Sequence, residues 1–305
     1  MSETVVAVKT LRKAYGRAVA VDGISLEVER GEIFGLLGPN GAGKTTTLEC
    51  MEGLRSSDGG SIDILGVDPG RNARKLYGLI GVQLQASGLP AAMRVGEAMA
   101  FFCAYHRVGP RDDLLERMGL GARRHSQFRE LSAGQQRRLA LALAVAHRPA
   151  LLLLDEPTAG LDVESRTELH ELMRELKEGG TTIILATHDM AEAEKLADRV
   201  SILLQGKIAA TGTPRELTAT GAGLTKVTVR TEQSILHRDG PAFAAVSQSI
   251  RSEDYTIYYS TDPGLTVSSI LAWVSAQGDR LVDLRVERPS LEERFLEITE
   301  AGGQQ

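Results

Sequence analysis

The segment Gly38–Thr46 limits the possible folds of this chain more than any other feature of the sequence. It reads GPNGAGKTT and fits the pattern G-x-x-x-x-G-K-[ST]. An apolar run, Ile33–Leu37, precedes it and is predicted to be a buried strand, and Thr46–Leu54 after it can form a helix. Between a strand and a helix, this pattern is typical of a P-loop.

The chemistry of such a loop follows from its residue types. Glycines let the backbone turn its N–H groups toward an anion, and the helix N terminus adds positive potential. Lys44 is predicted to reach the β- and γ-phosphates of a nucleotide, and the Thr45 hydroxyl is predicted to bind Mg²⁺. The loop residues expected to hold the nucleotide are Gly38, Pro39, Asn40, Gly41, Ala42, Gly43, Lys44, Thr45 and Thr46.

The composition is that of a folded, soluble protein, with 42% apolar and 25% charged residues. The formal net charge is −5, so we expect no nucleic-acid partner, because nucleic-acid-binding domains are commonly basic. Cys50 and Cys103 lie in apolar helical patterns, which predicts two buried free thiols. The most apolar stretch, Leu139–Leu154, is interrupted by a His-Arg-Pro sequence and is too short to span a bilayer. We therefore expect a cytoplasmic protein, for which any membrane role must come through a partner.

The periodicity of apolar residues predicts an α/β protein. Alternation predicts half-buried strands at Thr4–Thr10 and Ala18–Glu29, and unbroken apolar runs predict buried parallel strands. The other predicted strands are Ser61–Leu65, Leu79–Val82, Leu151–Leu154, Thr181–Ala186, Val200–Leu204, Lys207–Ala210, Lys226–Thr231, Tyr255–Ser260 and Arg280–Val286. The predicted helices are Arg94–Arg107, Arg111–Met118, Gly134–His147, Ser165–Glu178, Ala191–Ala197, Leu265–Ala276 and Leu291–Thr299.

A change of character near Leu217 predicts two domains. The segment 218–224 is built of small residues and is predicted to be a linker. The predicted division is a first domain at residues 1–217, a small α+β domain at 225–300 and a tail at 301–305. The first domain is predicted to contain a helical subdomain at about residues 86–150.

A second motif follows the strand Leu151–Leu154, where Asp155 and Glu156 end the apolar run. In a chain with a P-loop this is typical of a Walker B motif, and Asp155 can hold Mg²⁺ beside Thr45. Adjacent residues at a strand end point in different directions, so Glu156 is predicted to have another role, which is to polarise or deprotonate the attacking water. The alternative is a strand that merely ends in two solvated acids.

A third motif, LSAGQQ at Leu131–Gln136, precedes a strong helical pattern, and its Ser132 lies 23 residues before Asp155. A serine at a helix N terminus can form a second anion site, although taken alone it is more often an ordinary helix cap. With the two motifs above, the sequence resembles the ATP-binding subunits of ABC transporters, whose signature is usually LSGGQ. The resemblance implies that Ser132, Ala133, Gly134 and Gln135 contact nucleotide.

The resemblance extends over about the first 215 residues and implies roles for single residues. Tyr15 matches the aromatic residue that stacks on adenine, and His188 matches the histidine that contacts the γ-phosphate. Gln85 best matches the glutamine that senses Mg²⁺ and the γ-phosphate, with Gln83 as an alternative. Asp162 matches a loop that contacts the other subunit of a dimer. The catalytic residues so implied are Glu156, His188, Lys44 and Gln85, and the Mg²⁺ ligands are Thr45, Gln85 and Asp155.

The resemblance also implies the fold and the mechanism. The fold is a P-loop NTPase ABC cassette, with a mixed sheet core and a helical subdomain, followed by a small C-terminal α+β accessory domain. Two such chains, as a homodimer or a heterodimer, would close on ATP and Mg²⁺ and reopen after hydrolysis. A separate transmembrane permease subunit would dock near Gln85–Arg107, which places the protein on the inner face of the cell membrane.

The last predicted helix narrows the resemblance. The segment PSLEERFLEI at Pro289–Ile298 resembles the closing helix of daunorubicin-resistance-type and related multidrug-export subunits, which favours export of a drug, lipid or other small amphiphile. A soluble ABC ATPase that acts on nucleic acid or ribosomes is one alternative, but such proteins usually carry two cassettes, coiled coils or zinc motifs. An import subunit, which has the same core, is the other.

Overall fold

The computed structural model describes residues 3–83, 88–219 and 224–302. The chain divides into two compact units, Met1–Pro214 and Arg215–Gln305. Cys50 and Cys103 are both buried free thiols. Among the described residues, no helix combines the length and the apolar character that a membrane span requires.

The first unit is built on two sheets. Its strands are β1 (Thr4–Tyr15), β2 (Ala18–Glu29), β3 (Ile33–Leu37), β4 (Gly59–Ile64), β5 (Ile80–Gln83), β6 (Leu151–Asp155), β7 (Thr182–Thr187), β8 (Arg199–Leu204) and β9 (Lys207–Gly212). In the described part of the chain, six of them form a sheet in the order β5-β6-β7-β3-β8-β9, and three form a second sheet in the order β2-β1-β4. The larger sheet is parallel except for β9, which pairs antiparallel with β8. The predicted α/β class with a mixed sheet is therefore confirmed.

The strands at the centre of the larger sheet are covered on both faces. Every residue of β3, β6 and β7 is buried, as expected for unbroken apolar runs. Alternate residues of β6 enter different cores: Leu152 and Leu154 join one, and Leu151 and Leu153 join the core that lies against the second sheet. Asp155 continues the second of these faces.

The helices of the first unit surround this sheet. They are α1 (Lys44–Met51), α2 (Pro69–Leu76), α3 (Val95–His106), α4 (Asp112–Arg117), α5 (Ala133–Val145), α6 (Val163–Glu178) and α7 (Met190–Leu196), with 3₁₀ turns at Gly121–Arg123 and Phe128–Glu130. Helix α5 packs so close to β5 that a Cβ atom at Gly81 would lie 2.2 Å from the Ala144 carbonyl oxygen. A glycine is therefore required at this contact.

Helix α2 is an element that the apolar pattern does not predict. Only Pro69 and Leu76 of this eight-residue helix are buried, and the backbone leaves helical geometry at Asn72, so the apolar pattern is too short to indicate a helix. Its start is set locally, because Asp68 accepts a hydrogen bond from the Gly70 N–H and Pro69 occupies the first turn.

The second unit is a small α+β structure. Its elements are α8 (Pro214–Ala219), β10 (Thr225–Thr231), α9 (Ile235–Asp239), β11 (Val246–Ser252), β12 (Tyr255–Ser260), α10 (Pro263–Ala276), β13 (Leu281–Glu287) and α11 (Leu291–Gly302). The described strands form an antiparallel sheet in the order β11-β12-β10-β13. Its core joins Val227 and Val229 of β10 to Tyr258 of β12 and to Ile270 and Val274 of α10.

Strand β11 was not predicted, because it lies at an edge of this sheet and all but its first residue are exposed. Thr218 and Ala219, within the predicted linker, belong to α8, since Pro214 begins a helical turn there. Helix α11 likewise runs two residues into the predicted tail and ends at Gly302, a residue type common at helix C termini.

Candidate nucleotide-binding site

The loop between β3 and α1 needs glycine at defined positions. A Cβ atom at Gly38 would lie 2.3 Å from the Leu203 carbonyl oxygen, and one at Gly43 would lie 2.4 Å from the Ala20 carbonyl oxygen. Gly41 has open space around it but a φ of 82°, a conformation that other residues rarely adopt. Gly43 is the N-cap of α1, with a φ of 105°. The backbone thus forms a tight turn directly before a helix N terminus, which is a geometry suited to an anion.

Lys44 is held at the floor of this loop by the loop itself. Its Nζ donates hydrogen bonds to the carbonyl oxygens of Gly38 (2.8 Å) and Pro39 (3.2 Å), and it lies 3.5 Å from Glu156 Oε1. Burial lowers the pKa of Lys44, and the Glu156 carboxylate opposes that shift. The ammonium group is therefore positioned before any ligand arrives.

The Glu156 carboxylate contacts both His188 and Lys44. Its Oε2 lies 2.9 Å from Nδ1 of His188, which follows β7, while its Oε1 faces Lys44. Glu156 is buried, whereas half of the His188 side chain is exposed. The backbone of Glu156 has a φ of 48°, and its N–H donates to the Ala186 carbonyl. A non-glycine residue in this conformation is strained and must be held by its surroundings.

Asp155 is buried beside this group, and neither of its carboxylate oxygens has a hydrogen-bond partner among the described residues. Burial raises the pKa of Asp155, and the charge of Glu156 adds to that rise. The Thr45 side chain is close enough to oppose the rise, without a hydrogen bond of good geometry. An unsatisfied buried carboxylate next to a hydroxyl is a donor pair that suits Mg²⁺.

The described residues contain no group of three or more His, Cys, Asp or Glu side chains that could hold a metal ion. That finding is compatible with Mg²⁺, because Mg²⁺ at nucleotide sites is commonly held by one or two protein oxygens together with phosphates and water. Asp155 and Thr45 therefore fit the ion as a pair rather than as a full cage.

The loop opens into a cavity of about 440 Å³. Tyr15, at the end of β1, lies at its edge and is 43% exposed, so part of its side chain is accessible from the cavity. The Lys13 ammonium and the Arg55 guanidinium each lie 5.7 Å from the ring centroid. The described lining consists of Tyr15, Ala20, Asn40, Gly41, Gly43, Lys44, Thr45, Thr46 and Glu156.

Ser132 is the N-cap of α5. Its hydroxyl accepts from the Gln135 N–H (3.2 Å), and the Gln135 Oε1 accepts from the Ser132 N–H (3.0 Å), a capping box. Ala133 begins the helix and is not among the residues with positive φ. A Cβ atom at Gly134 would lie 2.7 Å from Ser165 Oγ of α6, so a larger residue here would require the Ser165 side chain to move.

The structure does not bring these signature residues to the cavity: its described lining contains no residue of Leu131–Gln136. Asp162 is also absent from that lining and caps α6, accepting from the Ser165 N–H at 2.8 Å. This bond lowers the pKa of Asp162. The signature segment and Asp162 are thus held rigidly, but apart from the P-loop of the same chain.

The two candidate sensing glutamines are Gln85 and Gln83. Gln85 lies outside the described residues. Gln83 ends β5, is buried, and has no hydrogen-bond partner for either polar atom of its amide among the described residues. It lines a separate, mostly apolar cavity of about 190 Å³ with Leu89 and Phe102. The choice between the two glutamines stays a prediction.

Glu52 is a buried residue near the site that the sequence analysis missed. It caps the C terminus of α1 and is 1% exposed, with both carboxylate oxygens unpartnered among the described residues. Burial raises the pKa of Glu52 to about 8, and the charges of Asp155 and Glu49 add to that rise. Glu52 lies seven residues after Thr45, on the same face of the helix. The signal in the sequence that could have revealed Glu52 was an acidic residue seven positions after Thr45, on the same helix face.

The family relationship follows from comparison with known proteins. Residues 21–159 match the family described as ABC transporter. The chain is 33% identical to the linearmycin resistance ATP-binding protein of Bacillus subtilis over 95% of this chain and 97% of that protein. The chain belongs to the ABC transporter family. It is an ATP-binding protein and an ATPase of that family.

Other ABC proteins match over nearly their full length. A daunorubicin resistance ATP-binding protein of Streptomyces coeruleorubidus is 34% identical, over 98% of this chain and 97% of that protein. A Nod factor export ATP-binding protein of Paraburkholderia xenovorans is 35% identical, over 98% of each chain. These matches include the second unit.

Solved ABC structures match the first unit. The structure of an ATP-binding subunit of an ABC transporter superposes with a TM-score of 0.66 and 28% identity, covering 70% of this chain and 92% of that one. A dimeric cassette in a post-hydrolysis state with ADP and Pi has a TM-score of 0.64 and 25% identity, covering 68% of this chain and 98% of that cassette. The ABC cassette fold predicted for the first unit is confirmed.

Proposed function

We propose that this protein is the ATP-hydrolysing subunit of an ABC exporter and that it drives a separate transmembrane permease subunit by ATP-dependent closure of a dimer. The proposed cargo is a drug, lipid or other small amphiphile. The relatives named for resistance or export support this choice, because their similarity extends through the second unit as well as the ATPase core. An import subunit or a soluble ABC ATPase is supported by no comparable observation.

One observation carries the proposal: the Glu156 carboxylate contacts both Lys44 and His188 at the floor of the cavity. Lys44 is pre-oriented by two loop carbonyls, so it can meet the β- and γ-phosphates with little reorganisation. Glu156 can then accept a proton from, or orient, a water that attacks the γ-phosphate. His188 would hold Glu156 in place and contact the same phosphate.

Asp155 and Thr45 would hold Mg²⁺ at the other side of the phosphates. Bound there, the ion would offset the charge of the phosphates and of the developing transition state. Tyr15 would stack on the base, which accounts for an exposed aromatic ring at the mouth of the cavity. Gln85 is proposed as the residue that senses the metal and the γ-phosphate.

The signature residues support a site shared between two chains. Ser132, Ala133, Gly134 and Gln135 form the N terminus of α5, which carries positive potential, and yet they line no part of this chain's cavity as described. We propose that they meet the ATP bound by a second subunit, identical or homologous, with Asp162 at the contact. The nucleotide would close the dimer by bridging two surfaces, and hydrolysis would reopen it.

The permease is proposed to dock on α3. Phe101 and Tyr105 of this helix are 59% and 63% exposed, an unusual exposure for two aromatic residues one turn apart. A permease that docks there would hold the chain at the cytoplasmic face of the membrane. No nucleic-acid partner is proposed.

The proposal is tested with Glu156→Gln. This variant should bind ATP, slow turnover by roughly 10²-fold or more, and run as a dimer in size-exclusion chromatography with ATP and Mg²⁺ but as a monomer without nucleotide. Adding Lys44→Ala should remove ATP binding and the dimer together. Unchanged turnover in Glu156→Gln, or a dimer that ignores ATP, would contradict the mechanism.

A further inference from the structure

We propose that Glu192 is a positioning residue for hydrolysis, which sets the placement of Glu156 relative to His188 by bonding Thr158 and His170. The inference rests on the proposed roles of Glu156 and His188. Glu192 lies in the first turn of α7, four residues after His188, and its side chain is fully buried. The sequence motifs assign it no role.

Three segments of the chain meet at one oxygen of this carboxylate. Glu192 Oε1 accepts a hydrogen bond from Thr158 Oγ1 at 2.7 Å and lies 3.0 Å from His170 Nε2, which must carry the proton if it donates. Thr158 is two residues after Glu156, and His170 lies in the middle of α6. The loop that follows the catalytic acid is therefore bonded to the helix that follows the catalytic histidine.

A second hydrogen bond also connects α6 to the start of α7. Arg166, one turn before His170 on α6, donates to the carboxylate of Asp189 at 3.2 Å. Asp189 directly follows His188 and accepts from the Glu192 N–H, which caps α7. The Arg166 link is partly exposed, so screening by solvent makes it the weaker of the two.

The backbone strain at Glu156 makes the position of its carboxylate sensitive to the hydrogen bonds on either side of it. At a φ of 48° its carboxylate direction depends on both flanking segments. The strand side is anchored by the bond from the Glu156 N–H to the Ala186 carbonyl. On the other side, Thr158 Oγ1 is bonded to Glu192. Loss of that bond removes the side-chain link between this loop and α7, while strand β6 and the loop's internal backbone bonds stay in place.

Stability alone is a poor reason for this arrangement. Burying a carboxylate is costly unless it is well bonded, and its second oxygen, Oε2, has no partner among the described residues. An apolar side chain in this place would pack at lower cost. The same contacts are accounted for if the buried carboxylate fixes the position of the loop after Glu156 relative to the helix after His188.

The experiment compares isosteric variants of the full chain. Thr158→Val removes the hydroxyl at nearly constant volume, and Thr158→Ser restores it. We expect Thr158→Val to lower kcat about tenfold or more, since small displacements of catalytic groups have effects of this size, with KM for ATP within about twofold. Thr158→Ser should recover most of kcat. The matched control is Thr167→Val, because the exposed Thr167 hydroxyl donates to the Val163 carbonyl within its own helix, α6, away from the catalytic segments; it should leave kcat unchanged.

A double-mutant cycle with Glu192→Met, which removes both carboxylate oxygens at similar side-chain length, separates positioning from general damage. If the two residues act through one bond, Glu192→Met combined with Thr158→Val should lower kcat no further than the more severe single variant. Losses in kcat that multiply, or a parallel fall in ATP affinity and melting temperature that explains the loss, would overturn the inference. If the parent protein hydrolyses ATP and depends on Glu156, but Thr158→Val keeps full kcat, the positioning role fails while the proposed function stands.

Discussion

At the scale of single residues, the site contains more acidic groups than its chemistry needs. Asp155 and Glu156 have assigned roles, but Glu52 is buried nearby with no partner for its carboxylate among the described residues. Its pKa of about 8 means that it is largely protonated at neutral pH, since burial penalises the charged form. Such a group links the stability of the fold to pH.

We predict that Glu52→Gln makes the nucleotide-free protein more stable at pH 8 and leaves its stability unchanged below pH 4.5. In the unfolded chain this carboxyl ionises near its ordinary pKa of 4.5, whereas in the folded chain it keeps its proton to about pH 8. Between these values the unfolded state binds fewer protons, so stability falls as pH rises. The gain at pH 8 should be a few kcal/mol.

Urea unfolding at a series of pH values measures this difference. Glu178→Gln, on an exposed position near the end of α6, is the matched control and should leave the pH profile of the parent unchanged. A difference between Glu52→Gln and the parent that is constant at all pH values would show that Glu52 is not held protonated by the fold.

At the scale of elements, close approach of backbones decides where the functional helices lie. The signature residues begin α5, and the far half of α5 rests on β5 at Gly81, where a Cβ atom would overlap the Ala144 carbonyl oxygen. The apolar pattern predicts both elements but says nothing about their distance. A backbone contact of this kind cannot be relieved by changing a rotamer.

We predict that Gly81→Ala destabilises the protein, because α5 must move away from β5 or the strand must shift. Overpacking of a core typically has an effect of about 1–3 kcal/mol, and displacement of α5 should also weaken the ATP-dependent dimer. Gly109→Ala, at a glycine with open space and no positive φ, should stay within about 0.5 kcal/mol of the parent. Thermal unfolding of the two variants checks this, and equal melting temperatures would contradict it.

At the scale of the whole molecule, the residues assigned to nucleotide lie in the first unit, while the relatives named for resistance or export match across both units. The second unit has its own core. Helix α11 carries Leu291, Phe295 and Ile298 on one face, and the latter two are only partly buried. We expect the accessible part of this face to contact an assembly partner.

We predict that ending the chain at Pro214 leaves ATP affinity within about threefold of the parent, because every proposed nucleotide contact is retained. The same truncation in the Glu156→Gln background should raise the dissociation constant of the ATP-bound dimer. Equilibrium binding of ATP and sedimentation analysis measure the two quantities. Loss of ATP affinity with an intact dimer would instead make residues 215–305 part of the nucleotide site.

The sequence by itself determined the features that depend on short-range chemistry. The P-loop, the apolar strand that ends in Asp155 and Glu156, and the Ser132 cap can be predicted because each is a local pattern whose function needs neighbouring residues in fixed spacing. Most elements with a buried face were predicted for the same reason, but the short helices α8 and α9 were not, although Leu217 and Leu236 are buried. Helix α2 and strand β11 were not predicted either, because each is mostly exposed and leaves little apolar periodicity in the sequence, although β11 pairs with the strand that directly follows it.

The tertiary structure alone decided which of these features meet. Strands β3, β6 and β7 lie side by side and parallel in the sheet, so the residues at their carboxyl ends converge: Lys44 after β3, Glu156 after β6 and His188 after β7. The order of strands is set by packing over the whole core, and residue spacing along the chain does not encode it. The buried contacts of Glu52 and Glu192, and the separation of Ser132 from the P-loop of its own chain, are consequences of the same packing.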